Sequence, residues 1–445
     1  MKSLLPALLL FACRPPSSDD EAFSNMSVGL VDEIESVVRV TWDQPVPATA
    51  HVRYRTGGGV WLETPPRPVG AGLATAHILG LGYDTDVELS LVVEDESGRA
   101  ESLPQATTTG PLPDDFPLPT VHINEPGAWD ASAPYLLSSV HELADDWGGA
   151  WWVFIMDREG TIVWAKRSAD DGRLSWVTRH VTITHEGDAV LLDQATAWSE
   201  FDQGNASTVA RLTLDGKVTH TYDTPRLHHP FASLPGGRIA WAARGQNNPT
   251  VETIEAVGYD GVQEQIWSCE ALEDGTCGSN TLWWDEREDR LLYSFWSSET
   301  IAEIDVRTGR LTRQLGHAEG AWPFASTSSA FYWQHGPIYT DEGTLLVSSK
   351  SLWPAEETVV REYELDEENQ QLVEIWTAGF GRGRFGEFGG DVWRLPGGNT
   401  LHGLGSGGWL VEYTPDAEVI WEASWPEERR IGQTSTIEDL YDLLP

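Results

Sequence analysis

The feature that most constrains the fold of this chain is a hairpin pattern that occurs six times. Each copy joins an apolar segment to an aliphatic one through an Asp-rich or Gly-rich turn, and several copies end in tryptophan, as FIMDREGTIVW does at Trp164. The turns recur at intervals of about 45 to 60 residues, close to the roughly 40 to 50 residues of a four-stranded propeller blade. The pattern therefore predicts an all-β fold in which residues 120–445 form a six-bladed β-propeller. The turn residues are Gly160, Gly216, Gly261, Gly309, Asn369 and Ala417.

A second repeat places a polar or small residue shortly before a turn and an apolar run. His229 and His335 each lie eight positions before a turn glycine, and Asn280 departs from this spacing by one position. If the blades stack around an axis, His229, Asn280 and His335 converge at the mouth of the central channel, an arrangement suited to nucleophilic or acid/base chemistry. The alternative is that these residues are polar only because they start strands. Two further copies carry His180 and Gly390 near the same point.

The chain is strongly acidic, with 69 Asp and Glu against 29 Lys and Arg and a formal net charge of −40. Such a field repels phosphates, so nucleic-acid binding is not expected and an anionic substrate would need local cations. The simpler interpretation of the acidity is a solvated surface suited to salty or extracellular water. Helical periodicity is weak and confined to STIEDLYDLL near the end of the chain.

Residues 1–13, MKSLLPALLLFAC, predict export. A lysine precedes an apolar run that is too short to cross a bilayer, which is typical of a secretion signal. The last four residues resemble the lipobox of bacterial lipoproteins, in which the cysteine, here Cys13, is acylated; the alternative is a plain signal with a chance cysteine. Residues 14–24 would be a polar tether. Because Arg14 is not an acidic retention signal, the resemblance favours the outer membrane, and the expected location is the outer membrane or periplasm of a Gram-negative cell. We expect the lipid on Cys13 to be the only membrane attachment.

If Cys13 carries lipid, the remaining cysteines are Cys269 and Cys277, which share one short loop. Exported thiols usually oxidise, which favours a disulfide between them. A reactive thiol is a weaker alternative because no His or Lys lies nearby in the sequence. A metal site is weaker still. We expect no metal and no cofactor, because no ligand cluster, P-loop or dinucleotide fingerprint is present.

Residues 25–109 predict a small β-sandwich of short strands separated by Gly, Pro and Asp turns. Trp42 early in this region and LGLGYDTDVELSLVVE late in it resemble a fibronectin type III domain, although Val87 stands where that family usually has a tyrosine. The resemblance implies a spacer, and the Pro-rich linker 110–119 would join it to the propeller at 120–445. The predicted strands are 37–42, 50–55, 75–81 and 86–94.

Residues 135–422 resemble the bacterial arylsulfotransferases, which are secreted six-bladed propellers. LHHPFASLPGGRIAWAA from Leu227 matches a double-histidine motif of that family, and Gln334 with His335 matches the motif whose histidine is transiently sulfated. The stretch DRLLYSFWSSETIAEIDVRTGRLTRQLG from Asp289 is similar to the family's fourth repeat. The resemblance implies transfer of a sulfuryl group from an aryl sulfate to a phenol through a sulfated histidine.

The resemblance also assigns roles to individual residues. His335 would be the nucleophile, the alternative being a structural imidazole that lines the channel. His229, or else His228, would be a general acid/base or oxyanion donor. Asn280 would donate to the sulfuryl oxygens, the alternative being a turn cap. The expected substrate-binding residues are Gln334, from the motif it shares with His335, and Lys350, Arg244 and Arg394, which by position in the repeat could replace donors that the family has and this chain lacks.

The sequence departs from the family at two catalytic positions. Gly278 stands where the family has a histidine, and Trp296 where it has an arginine. One well-placed donor of this kind contributes about 2.7 to 4 kcal/mol to the barrier, so both losses together predict a severe defect unless other cations replace them. The alternative function is therefore a propeller that binds a ligand or partner at the same mouth without turnover. We expect the strand that closes the ring to come from residues 120–140 or from the tail around Trp425.

Overall fold

The computed structural model describes residues 23, 25–125, 127–141, 151–167, 180–194, 204–245, 251–272, 277–352, 356–426 and 429–445, without the side chains of His229 and Pro230. These residues form two compact units, which divide between Pro111 and Leu112, inside the predicted linker. The predicted signal peptide with Cys13, and the predicted tether except residue 23, lie outside the described residues. Within the described part of the chain, no helix is both long and apolar enough to cross a lipid bilayer.

The first unit is a β-sandwich of two antiparallel sheets. Val38, Val40 and Trp42 face its hydrophobic core at alternate positions of one strand, as the pleat of a half-buried strand requires. All four predicted strands overlap observed ones, whereas the specific likeness to fibronectin type III stays a prediction. One sheet contains β1 (Ser27–Val31), β2 (Ile34–Gln44) and β6 (Gly72–Ile78). The other contains β3 (Ala48–Thr56), β4 (Leu62–Glu63), β5 (Arg67–Val69), β7 (Asp86–Asp95), β8 (Gly98–Glu101) and β9 (Gln105–Thr108).

The second unit is a propeller of six antiparallel sheets, which confirms the predicted fold class. The first two blades contain β11 (Tyr135–His141), β12 (Trp151–Asp157) and β13 (Ile162–Arg167), then β14 (Val181–Ile183), β15 (Val190–Gln194), β16 (Thr208–Leu212) and β17 (Val218–Asp223). Blade 3 contains β18 (Leu227–Leu234), β19 (Arg238–Arg244), β20 (Glu252–Val257) and β21 (Gln263–Ser268). Blade 4 contains β22 (Ser279–Asp285), β23 (Arg290–Phe295), β24 (Thr300–Asp305) and β25 (Arg310–Gly316).

Blades 5 and 6 complete the series, and the innermost strands of blades 3 to 6 contact one another in order. Blade 5 contains β26 (His335–Tyr339), β27 (Leu345–Ser351), β28 (Glu357–Asp366) and β29 (Gln371–Ala378). Blade 6 contains β30 (Asp391–Arg394), β31 (Thr400–Gly403), β32 (Trp409–Tyr413) and β33 (Val419–Ser424). Short 3₁₀ helices lie at Cys269–Ala271, Thr327–Ser329, Gly405–Gly407 and Leu440–Leu443.

Both ends of the second unit close the ring. Strand β10 (Thr120–Ile123) pairs with β33 and so adds a fifth strand to the outer edge of blade 6. Strand β34 (Ser435–Ile437) pairs with β11 and is the innermost strand of blade 1. The ring therefore uses both predicted sources of a closing strand. The weak helical signal near the C-terminus corresponds to β34 followed by a 3₁₀ helix, because pairing with β11 outweighs the local helical preference.

The hydrophobic core is divided into layers between neighbouring blades. Ala240 and Ile254 of blade 3 pack with Leu291 and Tyr293 of blade 4, and similar layers join blades 4 and 5 and blades 5 and 6. Each blade buries its faces against its neighbours, so stability grows with the number of contacts between blades. This arrangement keeps the inner strands fixed relative to one another and so positions the residues at their ends.

Candidate functional site

A cavity of about 580 Å³ opens where the innermost strands of blades 4, 5 and 6 begin. Small-molecule sites commonly measure about 300 to 1,000 Å³, so this cavity has the size of a ligand pocket. Five tryptophans and one phenylalanine line it, and its polar groups come from several blades and from the C-terminal tail. The aromatic residues are Trp151, Trp283, Trp296, Trp333, Phe388 and Trp393, and the polar ones include His180, Asn280, His335, Lys350, Asp391, Arg430 and Gln433.

His335 begins β26, and blade 4 fixes the backbone on either side of it. The Asn280 amide donates a hydrogen bond to the Gln334 carbonyl oxygen over 2.7 Å, and the Gly336 N–H donates to the Thr281 hydroxyl over 3.3 Å. Asn280 lines the cavity and is buried, so it both forms part of the wall and positions the segment that carries His335. The predicted donation from Asn280 to a sulfuryl group stays a prediction.

Gly336 lets blade 6 approach the residue that follows His335. Its φ is 54°, in the left-handed region that favours glycine, and a Cβ at this position would lie 2.7 Å from the Cα of Asp391. A side chain at position 336 would therefore clash with the start of β30. The close approach packs the start of β30 against β26 at Gly336, and Asp391 and His335 both line the cavity.

The His335 imidazole is neutral at physiological pH. Burial is the main cause that lowers its pKa to about 3, and the nearby charges of Lys350 and His180 lower it further. Among the described residues, no protein group forms a hydrogen bond with the ring. A neutral imidazole carries a lone pair on one ring nitrogen, so His335 is free to attack an electrophile.

Lys350 places a cation close to His335. Its ammonium donates to the Glu387 carbonyl oxygen and lies 4.4 Å from the centre of the Trp333 ring. Burial lowers the pKa of Lys350 to about 8, although the carboxylates of Glu387 and Glu356 oppose the shift. The group is therefore mostly charged at pH 7, and the structure places this predicted substrate-binding residue in the cavity wall.

Gln334 points away from the cavity into the interior of blade 4. Its fully buried side chain donates to the Ser294 hydroxyl over 3.1 Å and to the carbonyl oxygens of Phe295 and Thr300 over 3.0 and 3.2 Å. It is not among the described residues that line the cavity. Gln334 was predicted to bind substrate. It instead anchors the backbone that precedes His335, because its amide satisfies a hydroxyl and two carbonyl oxygens of blade 4.

The double histidine lies at the start of blade 3. His228 is buried, and its Nε2 lies 3.3 Å from the Glu252 carboxylate. Glu252 also accepts hydrogen bonds from the Tyr293 hydroxyl over 2.6 Å and from the Ser279 N–H over 3.1 Å. Burial raises the pKa of Glu252, but the hydrogen bond and charge of His228, with the other donors, bring it below its usual value. His228 is absent from the described cavity lining, and the side chain of His229 lies outside the described structure.

The two predicted arginines are absent from the described lining of the cavity. Arg394 on β30 forms an ion pair with Glu362 on β28, which joins blade 6 to blade 5. Burial lowers the pKa of Arg244, while the charge of Glu252 opposes that shift. An arginine that the sequence does not single out, Arg430 of the C-terminal tail, lines the cavity instead.

Gly278 and Trp296, the two departures from the family motifs, are neighbours in space. The Gly278 carbonyl accepts a hydrogen bond from the Trp296 N–H over 3.0 Å, and a Cβ at position 278 would lie 3.1 Å from the Trp296 indole nitrogen. A larger residue at 278 would crowd the indole, so the two replacements form one local change. The disulfide between Cys269 and Cys277, with Cα atoms 6.0 Å apart, directly precedes Gly278.

The repeat pattern placed His180 near the channel mouth but gave it no role, and it missed Asp391 as a cavity residue. Asp391 begins β30 one position after Gly390, the residue that keeps the repeat spacing. His180 precedes β14, and its Nδ1 lies 3.3 Å from the Gln433 amide oxygen. Gln433 and Arg430 carry no repeat signal, because only the return of the tail to blade 1 brings them here.

No protein-family model matches the sequence, and no curated protein matches it. Solved structures similar to this one include a periplasmic gluconolactonase from Pseudomonas aeruginosa, with a TM-score of 0.42, 11% identity, and 68% of this chain and 98% of that one covered. A streptogramin B lyase gives a TM-score of 0.38 at 13% identity, covering 72% of this chain and 98% of its own. These likenesses concern the fold and say nothing of activity. The chain is a β-sandwich followed by a six-bladed β-propeller, with an aromatic cavity at the ends of the inner strands.

Proposed function

We propose that this protein is an arylsulfotransferase-like enzyme, which moves a sulfuryl group from an aryl sulfate to a phenol through His335. One observation carries the proposal. A neutral imidazole, without a hydrogen-bond partner among the described residues, lines an aromatic cavity beside the ammonium of Lys350. Such an imidazole is a competent nucleophile, and a fixed cation stabilises the negative charge of a sulfate ester.

The reaction would consist of two transfers at the same imidazole. In the first, a lone pair of His335 forms a bond to sulfur while the bond from sulfur to the aryl oxygen breaks, and that electron pair leaves on the oxygen. In the second, the oxygen of an acceptor phenol bonds to sulfur and releases its proton to the medium, the N–S bond breaks, and the imidazole recovers its lone pair. Because the pKa of His335 lies far below 7, no proton has to be removed before the attack.

The aromatic wall fits the aryl part of both substrates. The rings of Trp283 and Trp393 pack edge to face with centroids 4.8 Å apart, and both line the cavity. An aromatic ring that packs against such a wall gains about 0.5 to 1.5 kcal/mol beyond the burial of its area. Lys350 and Arg430 would attract the anionic end, which the net charge of −40 otherwise repels.

Ligand binding without turnover is the second candidate function. Gly278 and Trp296 favour this candidate. They stand where the family resemblance predicts a histidine and an arginine, so an imidazole and a guanidinium expected beside the nucleophile are missing. Losing one such donor raises a barrier by about 2.7 to 4 kcal/mol. Lys350 and Arg430 are cations of the described lining that would offset the loss. Export, the lipid on Cys13 and an outer-membrane or periplasmic location remain part of the proposal.

The test is sulfuryl transfer from 4-nitrophenyl sulfate to phenol by the purified protein, followed by nitrophenolate release. We expect His335→Asn to lower the rate by at least about 10³-fold, whereas His122→Asn, at an exposed position on β10, leaves it unchanged. Mass spectrometry of the parent protein mixed with donor alone should find one sulfuryl group on the peptide that contains residue 335. Saturable binding of aryl sulfates without release from any of them would establish the binding protein instead.

A further inference from the structure

We propose that Trp333 is the specificity-determining residue of this cavity, and that it selects aryl sulfates whose ring system contains at least two fused rings. The inference rests on the proposed function, because it names the class of substrate that the same site takes. It depends on where the Trp333 indole lies, on the backbone that holds it there and on the cation beside it.

The aromatic lining of the cavity has a buried part and an exposed part. Trp151 is only 3% exposed. Trp296, Trp333 and Phe388, by contrast, are 52%, 46% and 44% exposed. A half-exposed ring contributes less to the hydrophobic core than a buried one, because the gain follows the apolar area removed from water. These three rings therefore extend the aromatic surface of the cavity out to its opening.

The backbone of Trp333 has a conformation that a bulky residue rarely adopts. Its φ is 43°, in the left-handed region, where a large side chain is strained. Such strain persists only where the surrounding structure fixes it, and it is concentrated at ligand sites. Neither the exposed indole nor this backbone is what core packing alone would favour.

Different blades hold the residues on the two sides of Trp333. The Tyr332 N–H donates to the Ser349 hydroxyl over 3.1 Å, and the Tyr332 carbonyl accepts from the Lys350 N–H over 2.9 Å, both on β27 of blade 5. On the other side, three hydrogen bonds anchor the Gln334 side chain in blade 4. Because both neighbours are fixed, Trp333 keeps its left-handed backbone and its indole remains in the cavity wall.

The Trp333 indole lies next to the cation that would hold the anionic end of a substrate. The Lys350 ammonium lies 4.4 Å from the centre of the Trp333 ring and 5.0 Å from that of Phe385. The charge of Lys350 also reaches His335, which follows Trp333 by two positions and lines the same cavity. A sulfate that pairs with Lys350 therefore brings its ring system to the exposed part of the indole.

The cavity is larger than a single aromatic ring requires. A cavity of about 150 Å³ is enough to hold benzene, whereas this one measures about 580 Å³. One ring placed against Trp283 and Trp393 would leave the half-exposed indole of Trp333 uncovered. A second fused ring removes this indole from water and packs against it, so it adds affinity that a one-ring substrate does not gain.

The experiment measures the binding of two sulfonates, which have no bond from sulfur to an aryl oxygen and so cannot transfer a sulfuryl group. Benzenesulfonate has one ring and naphthalene-2-sulfonate has two. In isothermal titration calorimetry, we expect the purified protein to bind naphthalene-2-sulfonate at least about 10-fold more tightly. Trp333→Gly should reduce this preference to less than about 3-fold. Glycine is chosen because it adopts a positive φ without strain.

Three further variants control for the substitution itself. Trp333→Asn also tolerates a positive φ and should give the same result as Trp333→Gly. Trp333→Phe keeps a ring at this position and should retain most of the preference. Trp61→Ala removes a tryptophan of the first unit that the guanidinium groups of Arg53 and Arg55 cover, and that is absent from the described cavity lining. It should leave both affinities unchanged.

Transfer assays extend the test to turnover. 4-Nitrophenyl sulfate has one ring and 4-methylumbelliferyl sulfate has two fused rings, and both leaving groups are stable anions. We expect Trp333→Gly to raise KM for 4-methylumbelliferyl sulfate by about 10-fold and to leave KM for 4-nitrophenyl sulfate within about 3-fold of the parent value. The kcat values should change little, because Trp333 binds the ring and takes no part in the transfer.

The outcomes separate this inference from the proposed function. A preference for naphthalene-2-sulfonate that survives in Trp333→Gly, equal losses for both sulfonates, or no binding of either would overturn the role of Trp333. A preference that depends on Trp333, found in a protein that transfers from no donor, would overturn the proposed enzyme but support the selection of fused-ring ligands. Loss of the preference in Trp333→Gly and Trp333→Asn, with its recovery in Trp333→Phe, supports the assignment.

Discussion

Two glycines decide which side chains reach the cavity. At position 336 the missing Cβ allows the backbone of Asp391 to pack against β26, and at position 278 it leaves room for the Trp296 indole. In both cases the small residue and the large one lie on strands or segments that are distant in sequence. Protein interiors are packed to near crystal density, so the size of a residue depends on the neighbour it meets. The effect of each glycine on the cavity therefore cannot be predicted until that neighbour is known.

Lys350 gives the first prediction at the scale of a residue. Its pKa is lowered to about 8, so its positive charge disappears as the pH rises through that value. We expect kcat/KM for 4-nitrophenyl sulfate to fall above pH 8, because the free protein then lacks the cation that holds the sulfate. A profile that stays flat from pH 7 to 10 would contradict this role.

Two variants of Lys350 sharpen that measurement. Lys350→Arg keeps a permanent charge, so its profile should lose the decline above pH 8 even if its rate is lower overall. Lys350→Met lacks the charge at every pH, and its kcat/KM should be low throughout, mainly through KM. 4-Nitrophenyl sulfate is the donor of choice because its leaving group is a stable anion that needs no proton.

At the scale of the element, the repeated tryptophans join one blade to the next. The indole of Trp164 on β13 donates to the Leu214 carbonyl oxygen over 3.0 Å, and that of Trp376 on β29 donates to the Pro415 carbonyl oxygen over 2.7 Å. Each donor lies on the outermost strand of its blade, and each acceptor lies in a turn of the following blade. The hairpin repeat in the sequence is thus also a repeat of contacts between blades.

Trp267 on β21 provides a matched comparison, because its buried indole nitrogen has no hydrogen-bond partner among the described residues. Both Trp164 and Trp267 are at most 3% exposed, so replacement by Phe removes similar volumes. We expect Trp164→Phe to lower the free energy of unfolding by about 1 to 3 kcal/mol more than Trp267→Phe does, because it leaves the Leu214 carbonyl unsatisfied. Urea unfolding measures both; equal losses would contradict the role of the hydrogen bond.

At the scale of the whole molecule, a buried ion pair joins the last blade to the first. Arg158 and Glu412 are fully buried and paired, and the guanidinium also lies 4.2 Å from the centre of the Trp421 ring. Glu412 accepts further hydrogen bonds from the Asp130 N–H over 2.8 Å and from the Asn399 amide over 2.7 Å. Burial lowers the pKa of Arg158 to about 9. Each partner is therefore costly to bury without the other.

Removal of the arginine tests this closure. We expect Arg158→Met to lower the free energy of unfolding by about 3 to 5 kcal/mol, because it leaves a buried carboxylate without its counter-charge. Arg158→Met combined with Glu412→Gln should recover part of that loss. Arg238→Met, which breaks an exposed pair with Glu264 in the same unit, should cost less than about 1 kcal/mol. A double variant no more stable than the single one would show that the uncompensated charge is not the cause.

The sequence alone was sufficient to predict the repeat, the six blades and the sandwich, because each of these features depends on residues within one hairpin. Strand alternation, turn glycines and the tryptophan that ends a hairpin are all visible over a dozen residues. The same periodicity brought Asn280 and His335 to one expected channel mouth, and the structure places both in the cavity wall. For Lys350, position in the repeat was also enough to suggest a place near His335.

Tertiary structure decided which polar residues line the cavity and which ones support it. Gln334 and Arg394 occur at suitable repeat positions, yet Gln334 anchors a strand and Arg394 pairs with Glu362. The start of β30 lies in the cavity wall because Gly336 lets it pack against β26, and Arg430 lies there because the tail returns to blade 1. A repeat fixes where a backbone position falls around the axis. The direction and charge of a side chain there depend on the space and partners that other blades supply, and no local pattern records them.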